Sequence, residues 1–464
     1  MTDEAGFPRF HPDFIWGVST SAYQIEGAVA EAGRGPSTWD DFCAMPGRVF
    51  DNQSGQVACD HYHRYREDLA LMKQLGLDAY RFSFSWSRVL PDGVGQVNQE
   101  GLDFYDRLID GLLEAGIAPA PTLFHWDTPS PLEAAGGWLN RDITDHFAAY
   151  AGLLAERFGD RVKQWITINE PVVLTLFGYG LGQHAPGRTL FFEALPAAHH
   201  QLLAHGKAVQ VLRAAGASNI GIANNHAPVW SASEDPADRM AAAGYDALTN
   251  WLFADPILLG RYPNDEFAAA MPGPVAEDLA IIASPIDWYG INHYQPANIG
   301  APGGAADPDA SDGATLPAGL PFQLRAIEGY PKTDFGWSVV PEGLGEILRI
   351  FRKRYRTALP PVYITENGCA INDGRNAAGL VDDQRRVAYL AGYTAALAQA
   401  IDDGADVRGY FHWSLLDNFE WAVGYSQRFG LVHVDFDTLS RTPKASFDWY
   451  RRLIAASHGL PEGR

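Results

Sequence analysis

Two glutamates stand directly beyond short apolar, β-branched runs: Glu170 after Trp165-Ile-Thr-Ile-Asn169, and Glu366 after Val362-Tyr-Ile-Thr365. Runs of this length and composition read as strands. A carboxylate at the end of such a run is costly to desolvate, so it needs a partner or a task. Two readings follow. Either each glutamate caps a following helix, or the two face one pocket as paired carboxylates able to give and take protons and to attack a substrate. Other residues could serve such a pocket, but each has an ordinary alternative. Trp413 alone reads first as core, since aromatics dominate burial, and His125 alone reads as a hydrogen-bonded core histidine.

The elements that would carry these carboxylates recur along the chain. Eight runs read as strands: Phe14–Val18, Ala79–Ser85, Pro119–Phe124, Trp165–Ile168, Ile220–Asn224, Ile286–Asn292, Pro361–Thr365 and Gly409–Trp413. Helical patterns fall between them. Tyr62, Tyr65, Leu69 and Met72 share a helix face that Asp60 would cap and Gly76 would stop. Leu102, Tyr105, Ile109 and Leu112 repeat the pattern before Gly116, as do Val387, Leu390, Leu397 and Ile401 before Gly404. Alternating strands and helices imply parallel pairing, and eight such units imply an α/β fold of the (β/α)8 TIM-barrel type. A doubly wound open sheet is the competitor, weakened by the lack of a glycine-rich phosphate motif after the first strand. In a barrel, the fourth and seventh strands would aim Glu170 and Glu366 across the same face. Gly300–Gly319, rich in Gly, Ala, Pro and Asp, reads as a long loop over the barrel mouth, because two strands lie beyond it. We expect one catalytic domain, residues 1–464 with a core of about 10–455 and long βα loops.

Bulk properties narrow the partners. The 464 residues carry 35 Lys+Arg against 56 Asp+Glu, a net charge of −21, with no basic run to offset it. That balance disfavours nucleic acid and anionic lipid. The start, MTDEAGFPRF, does not resemble a secretory signal, and no window approaches 18 apolar residues, so no membrane span is expected. Cys43, Cys59 and Cys369 are scattered and odd in number, as expected of packing thiols in a reducing, cytoplasmic setting. His61 and His63 lie two apart on a helical pattern and do not converge, and His199, His200 and His205 read as a helix face. No metal site is expected.

Six segments together resemble glycoside hydrolase family 1. They are Phe14-Ile-Trp-Gly-Val-Ser-Thr-Ser-Ala-Tyr-Gln-Ile-Glu-Gly27, Tyr80-Arg-Phe-Ser-Phe-Ser-Trp86, His125-Trp-Asp127, Thr167-Ile-Asn-Glu-Pro171, Ile364-Thr-Glu-Asn-Gly368 and the stretch from Trp413 to Phe436. They occur in the family's order from about residue 10 to residue 450. One such match would be weak, whereas six in order are specific.

The resemblance implies a retaining β-glycosidase without metal or organic cofactor, with Glu366 as nucleophile and Glu170 as acid/base. Retention needs two carboxyl groups about 5–5.5 Å apart across the anomeric carbon. By the same resemblance Arg81 and Tyr294 keep the nucleophile ionised, and Asn292 supports its shell. Asn169 holds the sugar 2-hydroxyl. Gln24, His125, Trp126, Glu420 and Trp421 surround the non-reducing sugar, and Trp413 is its stacking platform. Trp337 resembles a wall of the +1 subsite, and Val173, Leu174, Phe177 and His184 are expected to line the entrance.

Glu420-Trp421 after Leu416-Asp-Asn-Phe resembles β-glucosidases and β-galactosidases, and an anionic Glu420 would repel a 6-phosphate. The expected substrate is therefore an unphosphorylated β-glucoside or short β-gluco-oligosaccharide, with galactosides and fucosides as side activities. Rival readings are a transglycosylase on the same intermediate, a 6-phospho-β-glucosidase, and a non-catalytic sugar-binding relative. The last would usually have lost one carboxylate. Thr128-Pro-Ser-Pro131 departs from the Leu-Pro-Gln type common in the family, which leaves the loop shape near the third strand open. Homo-oligomers are common among such enzymes, but no segment marks an interface.

Overall fold

The computed structural model describes residues 6–303, 310, 316 and 319–460. Eight strands form a closed parallel barrel: β1 (Ile15–Ser19), β2 (Ala79–Ser83), β3 (Ala118–Phe124), β4 (Trp165–Asn169), β5 (Ile220–Asn225), β6 (Tyr289–Asn292), β7 (Val362–Asn367) and β8 (Val407–Trp413). Each overlaps one of the eight runs read from the sequence. Closure is made by β1 against β8, in register from Ile15 opposite Gly409 to Ser19 opposite Trp413. The open-sheet alternative is thereby excluded.

Apolar spacing accounts for the outer helices. His61–Leu75 buries Tyr65, Leu69 and Met72 and stops at Gly76, whose φ of 73° is the left-handed turn that glycine adopts without strain. Gln99–Glu114 buries Leu102, Tyr105, Ile109 and Leu112, and Gln384–Asp402 buries Leu390 and Leu397. Asp60 departs from expectation. It is itself left-handed, with φ 53°, and its carboxylate caps no backbone N–H. Instead Oδ1 pairs with His63 Nδ1 at 2.5 Å, so a nearby imidazole outcompetes the helix end.

The histidines are held singly. His61 bonds Asp68 at 2.8 Å. His199 bonds Tyr262 and Asp278, His200 the Trp138 carbonyl, and His205 the Thr167 hydroxyl. All three cysteines are buried and unpaired. Among the described residues, no group of three His, Cys, Asp or Glu side chains is placed to hold a metal ion, and no helix is long and apolar enough to cross a membrane.

Two features shape the C-terminal face of the barrel. The ladders shift register between Ile166 and Asn169 on β4, and between Ile364 and Glu366 on β7. Such irregularities re-aim side chains where a strand leaves its sheet, and here they fall next to the two glutamates. Beyond β5 and β6, Val229–Ser231, Ala297–Gly300 and Gln323–Leu324 form a small three-stranded sheet. The expected mouth loop starts from that sheet, but residues 304–309, 311–315 and 317–318 of it lie outside the described residues.

Candidate active site

The ends of β4, β5, β6 and β7 bring the two carboxylates into one hydrogen-bonded cluster. Glu366 Oε1 accepts from Arg81 Nη1 at 2.5 Å, and Oε2 accepts from the Tyr294 hydroxyl at 2.7 Å. Glu170 Oε1 accepts two amide N–H groups, from Asn292 at 2.8 Å and from Asn225 at 3.1 Å. Asn292 also donates to Asn169 Oδ1 at 3.0 Å, while its own carbonyl accepts from Thr365 at 2.6 Å. Gly368, two residues past Glu366, lets the ends of β7 and β8 touch: a Cβ there would lie 1.8 Å from the Trp413 carbonyl oxygen.

This network also fixes amide and ring orientations. Arg81 Nη2 donates to Asn169 Oδ1 at 2.6 Å, so the other end of that amide must be Nδ2. Asn169 Nδ2 then donates to His125 Nε2 at 3.1 Å. The His125 proton therefore sits on Nδ1, a buried atom with no partner among the described residues. Burial, reinforced by the Arg81 charge, holds the His125 pKa well below the usual imidazole value. The ring is neutral, and its side chain lines the cavity between the carboxylates.

That cavity measures about 280 Å³ and is lined by Glu170, Glu366, Glu420, His125, Trp413 and Trp421 at its inner end. Trp421 is wedged between Trp39 and Trp126, with ring centroids 4.5 and 4.7 Å away. Its loop is anchored by buried Asp417, which accepts from Lys444 at 2.6 Å and Arg428 at 2.8 Å. Trp126 lines the cavity with its ring only, because its indole N–H is committed to the Asn169 carbonyl at 2.8 Å. Gln24 is fully buried behind Glu420, its amide bonded to the Phe419 carbonyl at 2.8 Å and to Glu420 at 3.5 Å.

The outer end is built from helical and loop segments between the strands. Val173, Phe177, His184 and Trp337 line it as expected, together with Leu176, Tyr245, Gln295, Phe335 and Phe429. Leu174 does not line it: the helical segment Leu174–Gly180 turns Leu174 into the core, where it is 2% exposed. The Thr128–Pro131 departure keeps an ordered loop, with Trp138 Nε1 donating to the Thr128 hydroxyl at 3.0 Å. Asn225 was missed by sequence reasoning. Its signal was available, since it directly follows the predicted fifth strand on the barrel's active face.

The electrostatics separate the carboxylates. Burial, and then the charge of Glu366, pushes the Glu170 pKa up to about 8, against the neutral amides of Asn292 and Asn225. Burial raises Glu366 as well, but the Arg81 guanidinium and the Tyr294 hydroxyl oppose it by stabilising the anion. The cationic donor is therefore spent on Glu366, and neutral donors are left to Glu170. Burial, then Glu366 and Glu170, also pushes Glu420 up to about 8. The negative charge expected of Glu420 is thus opposed by burial and by its two carboxylate neighbours. What disfavours a phosphate here is the lining itself, which among the described residues includes no lysine or arginine.

With this geometry in view, similarity to known proteins becomes specific. The sequence model of glycosyl hydrolase family 1 matches residues 7–459. The chain belongs to that family. Among family 1 relatives, Beta-glucosidase A of Acetivibrio thermocellus is 44% identical over 96% of this chain and 98% of its own length. The 1,4-beta-D-glucan glucohydrolase of Thermotoga neapolitana is 45% identical over 98% of this chain and 100% of its own. The crystal structure of a psychrophilic beta-glucosidase from Micrococcus antarcticus superposes with a TM-score of 0.92 at 46% identity, covering 97% of this chain and 98% of the other. Family 1 enzymes are retaining O-glycosyl hydrolases, and the barrel described above is their (β/α)8 fold.

Proposed function

We propose that this chain is a retaining β-glucosidase in which Glu366 is the nucleophile and Glu170 the acid/base. The observation that carries the assignment is the asymmetry of donors: a guanidinium and a phenol hold Glu366, whereas Glu170 receives amides alone. Glu366 attacks the anomeric carbon while Glu170 gives its proton to the leaving oxygen, forming a glycosyl ester and releasing the aglycone alcohol. Esterification removes the Glu366 charge, and the Glu170 pKa falls accordingly. Glu170 then takes a proton from water, which attacks the same carbon and frees Glu366 with net retention.

The surrounding residues suit a neutral hexose. Asn169 is held by Arg81 and Asn292 where it can bind the 2-hydroxyl, a contact that strengthens in the transition state. Glu420, His125 and Trp421 read the remaining hydroxyls, Trp413 is the platform for the apolar sugar face, and Trp337 walls the +1 side. Cellobiose and short β-1,4-gluco-oligosaccharides fit best as substrates, in keeping with the name of the Thermotoga neapolitana relative, and link the enzyme to cellulose breakdown. The barrel serves as one catalytic domain. Three buried free cysteines suit a reducing cytoplasm.

Two measurements test this reading. Initial rates on matched aryl β-glucoside, β-galactoside and 6-phospho-β-glucoside should rank the glucoside first and the phosphorylated sugar at least about tenfold lower, because no cation meets the phosphate. Equal rates would overturn the sugar assignment. The pH profile of kcat/KM should rise as Glu366 ionises and fall as Glu170 loses its proton, placing the alkaline limb near 8. The two limbs report the coupled pair rather than either residue alone. An alkaline limb below about 5.5 would contradict a buried acid under the influence of Glu366.

A further inference from the structure

Glu170 receives its two amides from the ends of neighbouring strands, and one residue ties those ends together from behind. Asn225 closes β5 and Asn292 closes β6, and the two are paired in register. His226 directly follows Asn225 and is 1% exposed. Its backbone N–H donates to the Asn292 carbonyl at 3.0 Å, and its own carbonyl accepts from His293 Nδ1 at 2.9 Å. Asn225 lines the catalytic cavity, so Asn224, one residue earlier on the same strand, faces the opposite side.

The His226 ring is held by a chain of hydrogen bonds whose direction follows from its ends. Asn250, on the helical segment Ala247–Trp251, uses its Nδ2 on the Ala227 carbonyl at 2.8 Å and on Asp246 at 2.7 Å. That leaves Asn250 Oδ1 to face His226 Nδ1 at 2.9 Å. An amide oxygen only accepts, so the imidazole proton sits on Nδ1 and Nε2 is an acceptor. Nε2 faces the Tyr289 hydroxyl at 2.8 Å, so that hydroxyl donates to it. The Tyr289 oxygen in turn accepts from Asn224 Nδ2 at 2.7 Å. Burial holds the His226 pKa down to about 3, which keeps the ring a neutral donor and acceptor. Phe351 packs on both rings, with centroids 4.7 Å from His226 and 5.7 Å from Tyr289.

We infer that His226 is a positioning residue for the acid/base. The chain fixes its ring, the ring fixes the backbone joining the ends of β5 and β6, and that backbone aims the Asn225 and Asn292 amides at Glu170. The inference rests on the assignment of Glu170 as acid/base and adds how its proton is placed. Both amides donate to Oε1, at 3.1 and 2.8 Å, so the acidic proton of Glu170 sits on Oε2. The amides thereby decide which oxygen protonates the leaving group. An amide that turned would present its carbonyl to the acid and hold the proton instead of leaving it for delivery.

The test compares a substrate that needs the acid with one that does not. His226→Phe keeps the bulk of the ring against Phe351 and removes both side-chain hydrogen bonds. Its kcat/KM should fall about tenfold on cellobiose, and by no more than about twofold on 2,4-dinitrophenyl β-glucoside. The alkaline limb on cellobiose should also move to higher pH, because a carboxylate that loses amide donors is less stable as the anion. The titratable and charged groups facing Glu170, namely Glu366, Arg81, Tyr294 and Glu420, are untouched by the substitution. Tyr289→Phe removes the donor at the other end of the ring, should give the same selective loss, and serves if the first variant does not fold. Equal effects on the two substrates in a folded variant, or an alkaline limb that stays in place, would overturn the inference. A Glu170→Ala enzyme that loses both substrates alike would instead overturn the acid/base assignment on which the inference rests.

Discussion

Glu366→Ala is expected to fold and to lose turnover of every β-glucoside by roughly 10⁵-fold or more, the scale seen when a covalent nucleophile is removed. The loss should be equally severe for nitrophenyl and disaccharide substrates, because both need the glycosyl ester. Removing the carboxylate also opens space on the α face and leaves Arg81 and Tyr294 without their acceptor. A small anion such as azide should enter there, attack an activated substrate directly, and restore part of the rate. The product would be the α-glucosyl azide, because one displacement inverts what two would retain. Product configuration by proton NMR is the deciding measurement. A β-azide from this variant would mean that another carboxylate forms the ester.

Glu170→Ala should behave differently. With cellobiose the leaving alkoxide needs a proton, and loss of the acid should cost about 10²–10⁴-fold. With 2,4-dinitrophenyl β-glucoside the leaving group departs unaided, so ester formation should stay close to normal. Hydrolysis of the ester then becomes slow, and a burst of dinitrophenolate should precede a low steady rate. Azide should accelerate that slow step and yield the β-glucosyl azide, since the ester is already formed. The alkaline limb of kcat/KM should also vanish for the activated substrate, because the group pushed up to about 8 is gone. A uniform loss across all leaving groups would assign Glu170 a binding role instead.

Much of this arrangement is legible in the sequence because a barrel couples two simple signals. Apolar runs locate the strands, and the residue just past each run is placed on the active face. That reasoning reaches Glu170 and Glu366 directly, while Asn292 comes from family resemblance, and it would have reached Asn225 had the end of the fifth strand been read in the same way. Roles are less legible. Trp126, His125 and Gln24 are singled out only by family resemblance, and the structure commits the Trp126 N–H and the Gln24 amide to protein partners. The charge of Glu420 depends on burial and on two other carboxylates distant in sequence, so a local reading takes it as an ordinary anion. Leu174 and Leu176 are exchanged because Leu174–Gly180 is wound as a π-helix, which rotates side chains away from the 3.6-residue expectation. Asp60 fails as a cap for a similar reason, its carboxylate being claimed by His63.

The two ends of the catalytic cavity are built from different parts of the chain. The chemistry hangs from strand ends locked by Arg81, Asn169 and Asn292, where one altered side chain would disturb several hydrogen bonds at once. The outer walls, from Leu176 and Phe177 to Tyr245, Phe335 and Trp337, come from segments between the strands. Heritable change can therefore accumulate in those segments and retune which alcohol is released, while the sugar cleaved and the stereochemistry of cleavage are inherited intact. An ancestor of this enzyme could change its diet without relearning its reaction.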